Sequence, residues 1–203
     1  LMLEGRVRDR EKKGAYLKVI VDESARLTRL INNVLDFGKL EQQTKTYTFS
    51  RFLADEFLKG LIGAHGIRIK GAGLEVICDI SPGNYGIRTD RDALEQVVLN
   101  LVDNVLKYAG KGRFIRFGLT PSDGGVVIRI QDDGPGIQKA HRDRIFERFY
   151  RIDDSLTAAR PGSGLGLSIS KRILQDLGGD LILEPSTAKG ACFAMEVKNH
   201  EPA

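Results

Sequence analysis

Several residue types are scarce in this sequence, and each scarcity excludes a class of protein. The 203 residues include two cysteines and no tryptophan, too few cysteines for a disulfide-stabilised secreted scaffold. Cys78 and Cys192 lie in apolar runs, which predicts small buried side chains in a reducing compartment. No apolar run reaches the roughly 18 residues of a membrane-spanning helix, and no signal peptide is recognisable. We therefore expect a cytoplasmic chain without membrane contact.

An initiator methionine is missing as well. The chain begins at Leu1, so we expect it to be the cytoplasmic end of something longer, whose remainder could be anchored in the inner membrane. A strong excess of one charge is also lacking, because 31 basic and 27 acidic residues give a net charge of only +4. No basic patch is interleaved with aromatic residues, which argues against nucleic acid as a partner. The mild excess suits one polyanionic small molecule.

The first part of the chain has one long helical pattern over residues 15–43. Its residues recur at heptad spacing, with Leu17, Ser24, Ile31 and Gly38 at one position and Ile20, Leu27 and Val34 at another. Such a seam packs against partner helices, which favours a helical hairpin that dimerises into a bundle over a single surface helix. Polar residues 41–46 then predict a boundary, dividing the chain into 1–45 and 46–203.

The second part alternates between strand and helix patterns. Strands are predicted at 47–49, 67–70, 74–80, 113–120, 126–131, 181–183 and 191–197, and helices at 51–64, 90–108 and 164–177. Thr89 or Asp90 is expected to cap the second of these helices. Residues 133–162 have little regular pattern apart from a helical turn near 145–150, which is typical of a functional loop. The fold class is α+β, with helices on one face of a mixed, largely antiparallel sheet.

One stretch with chemical potential is the turn that follows the strand at 126–131. Asp132 stands at its head, and glycine occupies alternate positions at Gly134 and Gly136. One fixed carboxylate in apolar surroundings suits a flat heterocycle with an amino group, and glycines let the backbone approach a ligand closely. Taken alone, the pattern fits an acidic hairpin turn equally well.

A second stretch is the amide-bearing helix. Asn100 and Asn104 are four residues apart, so they share a face of the predicted helix, near Lys107. Two carboxamides and an ammonium group suit a metal–phosphate group, because Mg²⁺ takes oxygen ligands and usually keeps substrate phosphates and water. A solvated polar face is the alternative.

A third stretch, Gly162-Ser163-Gly164-Leu165-Gly166, precedes a helix. Backbone amides at a helix start bind anions, with the helix dipole in support. The spacing fits neither the dinucleotide-binding glycine fingerprint nor a P-loop. A flexible hinge is the alternative for this stretch.

Together the stretches resemble the ATP-binding domain of the GHKL superfamily, and specifically that of bacterial sensor histidine kinases. Residues 96–108 resemble the N-box, 132–137 the first glycine box, 146–151 the F-box and 162–167 the second glycine box. Order and spacing match too, over residues 47–197. Residues 1–45 resemble the end of the family's dimerisation and histidine-phosphotransfer hairpin. The resemblance implies a two-layer α/β sandwich (the Bergerat-type fold) that binds ATP and Mg²⁺.

The resemblance also implies a role for each matching position. Asp132 would accept a hydrogen bond from the adenine amino group, Asn100 would ligate Mg²⁺, and Asn104 would contact Mg²⁺ or phosphate. Residues 137–161 would form the ATP lid, with Arg151 a candidate contact to the γ-phosphate. The other positions at the nucleotide would be Lys107, Tyr108, Gly134, Gly136, Ile137, Gly162, Ser163, Gly164, Leu165, Gly166 and Leu167, although the two leucines are expected mainly to pack.

The resemblance implies a kinase rather than a fast ATPase. The superfamily's ATPases have glutamate, which activates water, at the position of Asn100, and an amide cannot act as that general base. The sequences around His65, His141 and His200 do not match the family's phosphoacceptor box, so we expect these to be surface residues. We expect the acceptor to precede Leu1, and the chain as given to bind ATP–Mg²⁺ without phosphorylating itself.

The implied partners are a second copy of the chain, through the helix at 15–43, and the receiver domain of a response regulator. Its aspartate would take the phosphoryl group from the histidine. Two other functions stay open: a non-catalytic nucleotide-binding scaffold, and a serine kinase of the anti-sigma-factor type, which shares the fold. The heptad helix and the F-box favour the histidine kinase.

Overall fold

The computed structural model divides the chain into two compact units, residues 1–45 and 46–203. The residues it describes are 14, 16, 17, 20, 21, 24, 31, 35, 38, 40, 42, 44–83, 85–109, 112–152, 163–185 and 189–199. In the first unit, Leu17, Ile20 and Ile31 are helical and more than half exposed. Leu27 and Val34 of the heptad pattern lie outside the described residues, so the seam stays a prediction.

The second unit contains two sheets. In chain order, the strands of its described part are β1 (Phe49–Leu53), β2 (Glu75–Ile80), β3 (Gly86–Asp90), β4 (Phe114–Ser122), β5 (Gly125–Asp132), β6 (Asp180–Glu184) and β7 (Cys192–Lys198). β1 and β3 form an antiparallel pair, and the other strands form a sheet in the order β2–β4–β5–β7–β6. β2 and β4 are parallel, and the remaining neighbours are antiparallel. This confirms the mixed, largely antiparallel sheet.

The helices of the same described part are α1 (Ala54–Gly71), α2 (Arg91–Tyr108), the single turn α3 (Lys139–Arg142) and α4 (Gly166–Asp176). Together with the sheet they confirm the α+β fold class.

Alternation along β4 and β5 positions the first candidate residue. Side chains of successive strand residues point to opposite faces of a sheet. Phe117 lies opposite Ile130, and both are buried in the core. The same face continues to Asp132, which lies opposite Ile115 and is only 7% exposed. The core face of the sheet therefore ends in a carboxylate.

The start of α2 is fixed by Asp90, one of the two predicted caps. Its Oδ1 accepts a hydrogen bond from the Ala93 amide at 2.9 Å, and its Oδ2 accepts one from the Thr48 amide at 2.6 Å. The neighbouring Thr89 hydroxyl is buried, with no hydrogen-bond partner in the structure. A capping carboxylate satisfies an amide that the first helical turn leaves unpaired, so the helix begins at Arg91.

Two local predictions are wrong, and one strand was missed. Residues 67–70 form the end of α1 and not a strand, because Ile69 packs in the core at 1% exposure while Ile67 is on the outside. The strand β3 was not predicted. The helical turn expected near 145–150 is absent from those residues, all of which are described; the turn α3 lies earlier, at Lys139–Arg142.

The two cysteines also differ from each other. Cys192 is buried as predicted, but Cys78 is exposed, because β2 lies at the edge of the sheet and that part of the strand faces outward. Within the described ranges, no helix is both long enough and apolar enough to cross a membrane.

Candidate functional site

The helix α2 presents its two amides beside its buried face. Val97 and Leu101 are fully buried, whereas Asn100 and Asn104 are half-buried. The acid between the two amides, Asp103, makes an ion pair with Arg68 of α1 at 2.6 Å. The polar face of the helix therefore offers carboxamides, and Asp103 is occupied in holding α1 and α2 together.

Asn100 is fixed by contact with α4. Its Nδ2 donates a hydrogen bond to the Ser170 hydroxyl at 3.2 Å, and Ser170 is fully buried. A Cβ placed on Gly166 would lie 3.9 Å from the Asn100 Oδ1. The amide nitrogen is thus used inside the protein, and the amide oxygen faces the beginning of α4.

The beginning of α4 suits an anion. The first amides of a helix have no intrahelical acceptor, and the helix dipole adds positive potential there. Just before the helix, the Leu165 amide donates to the Ser163 hydroxyl at 3.3 Å, while the Leu165 side chain is 2% exposed. Leu167 is half-buried. Gly162 lies outside the described residues.

Asp132 is a buried carboxylate with one oxygen already bound. Its Oδ1 accepts a hydrogen bond from the Gly134 amide at 2.8 Å. Burial raises the pKa of the Asp132 carboxyl, although the amides of Gly134 and Ala191 partly oppose that rise. Because Oδ1 is held by the turn, Oδ2 is the atom that can accept a hydrogen bond from a ligand.

Asp133 is an acid next to Asp132 for which the sequence predicted no role, and its contacts in the structure belong to the fold. Its Oδ1 accepts from the amides of Arg113 and Phe114 at 2.6 and 3.1 Å, and its Oδ2 pairs with the Arg113 guanidinium at 3.2 Å. Burial would raise the pKa of Asp133, but these amides and the guanidinium hold it below its ordinary value. Asp133 therefore fixes the start of β4.

The glycines of the two boxes differ in their surroundings. A Cβ on Gly134 would lie 2.6 Å from the backbone of Ala109, directly after α2. Gly164 has φ +71°, and a Cβ there would lie 2.6 Å from the backbone of Phe149. The chain itself thus requires glycine at these two positions. Around Gly166 the nearest atoms are those of Asn100, so this glycine leaves space beside the amide.

The F-box segment is attached to the core. The ring of Phe146 meets Phe193 edge-on at 6.4 Å between centroids, and the Lys171 ammonium lies 4.8 Å from its ring centre. The amide of Phe149 donates to the Gly164 carbonyl at 3.0 Å, which joins this segment to the second glycine box. Arg151 is half-buried. Residues 153–161 of the expected lid lie outside the described residues.

All three histidines were expected on the surface, but the two that the structure describes are half-buried. His141 is half-buried, and its Nδ1 lies within hydrogen-bond distance of the Tyr150 hydroxyl, at 2.6 Å. His65 is also half-buried on α1, and His200 lies outside the described residues.

The donor atoms fit a nucleotide-bound metal better than a metal held by protein alone. Among the described residues, no group of three or more His, Cys, Asp or Glu side chains could hold a metal ion. Amide oxygens beside an anion-binding helix start suit Mg²⁺, which completes its shell with phosphate oxygens and water. The open space at Gly166, beside the carboxamide of Asn100, leaves room for such a group.

Known proteins are similar to this chain in sequence or in fold. The sensor histidine kinase WalK of Bacillus subtilis (strain 168) is 30% identical over 203 residues, covering 98% of this chain and 33% of WalK. Full-length ShkA, solved in complex with AMPPNP, superposes with a TM-score of 0.77 at 26% identity, covering 98% of this chain and 42% of that one. Histidine kinase ThkA, solved in complex with the response regulator TrrA, has a TM-score of 0.72 at 22% identity, covering 97% and 54%.

The matches define the family but not the whole protein. The chain spans 33% to 60% of the length of the curated sensor kinases and sensor proteins first matched. Residues 89–201, which run from the end of β3 to beyond β7, match the family described as histidine kinase-, DNA gyrase B- and HSP90-like ATPases. That segment contains both amides, the Asp132 turn and the second glycine box. This chain belongs to the family of histidine kinase-, DNA gyrase B- and HSP90-like ATPases.

Proposed function

We propose that the chain is the ATP-binding catalytic part of a two-component sensor histidine kinase. It would hold ATP–Mg²⁺ and present the γ-phosphoryl group to a histidine outside the chain, for relay to an aspartate of a response regulator. The curated relative WalK is a sensor histidine kinase, which supports this choice within the family.

One observation carries the proposal: the side chain facing the start of α4 is an amide. The Oδ1 of Asn100 lies beside Gly166, where a triphosphate would meet the helix amides. An amide oxygen can ligate Mg²⁺, but it cannot take a proton from water as a general base would. Such a site is suited to keeping the γ-phosphoryl group until another acceptor arrives. Phosphoryl transfer then needs mainly positioning and neutralisation of charge.

The second half of α2, from Asn100 to the end of the helix, would run along the length of the nucleotide. Gly134 abuts Ala109 at the end of the helix, and Asn100 lies nine residues earlier, about 13 Å along the axis at 1.5 Å per residue. Adenine would bind at the first place, with its amino group donating to Oδ2 of Asp132. The triphosphate would bind at the second, beside Asn100. Asn104, Lys107 and Tyr108 lie on the helix between or next to these places.

The remaining proposed contacts lie near the phosphates or in the lid segment. Asn104 would contact Mg²⁺ or phosphate, and Ser163 and Gly164 would lie near the phosphates through the backbone before α4. Ile137 and Arg151 would contribute from the lid segment. The F-box would keep that segment attached to the core through Phe146, so that nucleotide can enter and leave while the lid stays in place at its base.

The partners belong to the proposal as well. ThkA was solved with a response regulator, and we propose a receiver domain as the partner of this chain too. Exposed apolar residues at Leu17, Ile20 and Ile31 support a homodimer through the helix at 15–43. ATP and receiver domains are found on the cytoplasmic side of a membrane, so we propose a cytoplasmic location for this chain.

The experiment supplies the missing acceptor in trans. The full chain is mixed with γ-labelled ATP, Mg²⁺ and a separately produced helical hairpin that bears a phosphoacceptor histidine. We expect acid-labile label on the hairpin, none on the chain alone, and transfer to a receiver domain added afterwards. A hairpin with the histidine replaced by alanine is the matched control and should stay unlabelled.

Other outcomes identify the alternatives. Acid-stable label on a serine of an added substrate would contradict the histidine kinase and favour a serine kinase. Nucleotide binding in calorimetry without transfer to any hairpin would favour a non-catalytic scaffold. Stable acid-labile label on the chain itself would contradict the expectation that the acceptor histidine lies elsewhere.

A further inference from the structure

We propose that the exposed ring of Phe149 is a docking contact for the helical hairpin that carries the phosphoacceptor histidine. The inference rests on the proposed function, because it names the contact that holds this hairpin while the γ-phosphoryl group is transferred. Phe149 contacts neither ATP nor Mg²⁺ in this proposal. It binds the acceptor protein beside the site.

The Phe149 ring lies on the outside of the molecule. Its side chain is 63% exposed, whereas Phe146 of the same F-box packs edge-on against Phe193. In the described part of the second unit, the other exposed large apolar side chains are on β1, α1 and β6, namely Leu53, Ile67 and Ile182. Burial in the fold therefore does not account for a phenylalanine at position 149.

The backbone conformation is also unfavourable for a phenylalanine. The φ of Phe149, +61°, lies in the left-handed region, and among the described residues this is the one non-glycine residue with a positive φ. Glycine and asparagine adopt that region at a lower cost than a bulky residue does. The hydrogen bond from the Phe149 amide to the Gly164 carbonyl, at 3.0 Å, holds the conformation. A strained residue that also exposes its ring indicates a demand on that ring from outside the fold.

The position of Phe149 indicates which partner covers the ring. A Cβ on Gly164 would lie 2.6 Å from the Phe149 backbone, so the two segments are in direct contact. Gly164 precedes Gly166 by two residues, which is at most about 7 Å of chain. The ring is therefore carried at the edge of the place where the triphosphate would meet the start of α4.

Phosphoryl transfer requires the acceptor to reach the same edge. An N–P bond forms between the histidine nitrogen and the γ-phosphorus while the bond to the oxygen that bridges the β- and γ-phosphorus breaks. ADP leaves with that oxygen, and the imidazole N–H proton passes to water. The reacting atoms must first lie about 3 to 3.5 Å apart, so the hairpin surface around the histidine has to cover the edge of the site. An aromatic ring is a typical anchor for such a contact.

The test removes the ring and keeps the backbone. In Phe149→Gly the left-handed conformation is unstrained, so the contact with Gly164 should form as in the parent chain. Phe149→Asn, which also tolerates this region, takes its place if the glycine variant does not fold. Phe149→Tyr keeps the aromatic ring. Ile182→Ala is the matched control, because it removes another exposed apolar side chain, from β6.

The measurement is the initial rate of label transfer from γ-labelled ATP, at saturating ATP and Mg²⁺, to increasing concentrations of the histidine-bearing hairpin. We expect Phe149→Gly to raise the KM for the hairpin about tenfold, the loss typical of an interface anchor. Phe149→Tyr and Ile182→Ala should stay within twofold of the parent chain. Calorimetric titration with a non-hydrolysable ATP analogue should give affinities within twofold for all these chains, because the ring lies outside the nucleotide site.

The outcomes separate the inference from the proposed function. An unchanged KM in Phe149→Gly, or an equal rise in Ile182→Ala, would overturn the docking role, while label on the hairpin would still support the proposed function. An unchanged KM together with a loss of self-association in sedimentation would assign the ring to a second copy of the chain instead. A larger fall in analogue affinity in Phe149→Gly would assign the ring to the nucleotide site and also overturn the inference. Failure of the parent chain to label the hairpin would overturn the proposed function, and this inference with it.

Discussion

Gly134 of the first glycine box and Gly166 of the second serve different purposes. Gly134 is packed against the backbone of Ala109, and its amide holds Oδ1 of Asp132. A Cβ placed on Gly166 would meet nothing nearer than the Asn100 side chain at 3.9 Å, so this glycine leaves space at the start of a helix. Gly134 is closed in by the protein's own backbone, as is Gly164 of the second box, whereas Gly166 is open towards a ligand.

The difference teaches that a glycine pattern does not distinguish backbone packing from ligand binding. Both demands forbid a side chain, so both select the same residue. They differ in what a methyl group would disturb, namely the fold in one case and the site in the other. Substitutions of Gly134 and Gly166 should therefore separate a loss of stability from a loss of ligand binding.

The largest effect is expected from Gly134→Ala. The added methyl would clash with the Ala109 backbone, which cannot move without shifting the end of α2. We expect a loss of about 3 kcal/mol in the free energy of unfolding, the upper part of the range for overpacking. Urea denaturation measures it. An unchanged midpoint would show that Gly134 is as open as Gly166.

The next effect concerns ligand binding in the same box. In Asp132→Asn, Oδ1 can still accept from the Gly134 amide, but an NH₂ group would then face the adenine amino group, and two donors do not bond. We expect the affinity for ATP–Mg²⁺ to fall about 30-fold, equivalent to about 2 kcal/mol for a hydrogen bond to a charged acceptor. Calorimetry measures the affinity, and Asp133→Asn is the control, since its carboxylate is bound to the start of β4. Unchanged affinity would contradict the assignment of Asp132 to adenine.

Asp133→Asn should lower stability instead, by about 1 to 2 kcal/mol at neutral pH, because hydrogen bonds to a charged carboxylate weaken. The pKa of Asp133 is held below its ordinary value when folded, so ionisation stabilises the fold at pH values above that ordinary value. The difference between parent and variant should then shrink as pH falls through the lowered pKa. Urea denaturation from pH 7 to pH 3 measures this. A difference that grows in acid would contradict the assignment.

The smallest effect on stability is expected from Gly166→Ala. The methyl would meet only ordinary contacts, and alanine favours a helix over glycine by up to about 1 kcal/mol. Stability should therefore hold or rise slightly, while the affinity for ATP–Mg²⁺ falls because the methyl occupies the space beside Asn100. A loss of stability equal to that of Gly134→Ala would contradict the difference in packing between Gly134 and Gly166.

The sequence predicted the parts of the fold that depend on neighbours along the chain. The hairpin of β4 and β5, the helix α2 and its cap at Asp90 follow from alternation, periodicity and a capping residue. The pair of β1 and β3 was missed because it joins short strands separated by a long helix, with no local pattern of its own. In α1, the end at 67–70 contains β-branched residues that favour a strand alone, but Ile69 gains burial as part of the helix.

The candidate site shows the same limit. Spacing could place the two amides on one face of α2 and Asp132 at the end of a strand. It could not find Ser170, whose contact with Asn100 joins residues 70 positions apart. Nor could it predict the structural role of Asp133, because that role depends on the amides of Arg113 and Phe114 some twenty residues earlier. Contacts across such distances leave no signal in the spacing of either partner.

The hydrogen bond from the Phe149 amide to the Gly164 carbonyl has a consequence for how this protein can vary in length. It closes the chain between the F-box and the second glycine box at its base, so the intervening segment enters and leaves at fixed points. The entropy of closing a segment grows only logarithmically, and doubling its length costs about 0.6 kcal/mol. Residues could therefore be added or removed between these two anchors with little effect on the geometry at Asn100 and Gly166, which makes the length of this segment nearly independent of the site it borders.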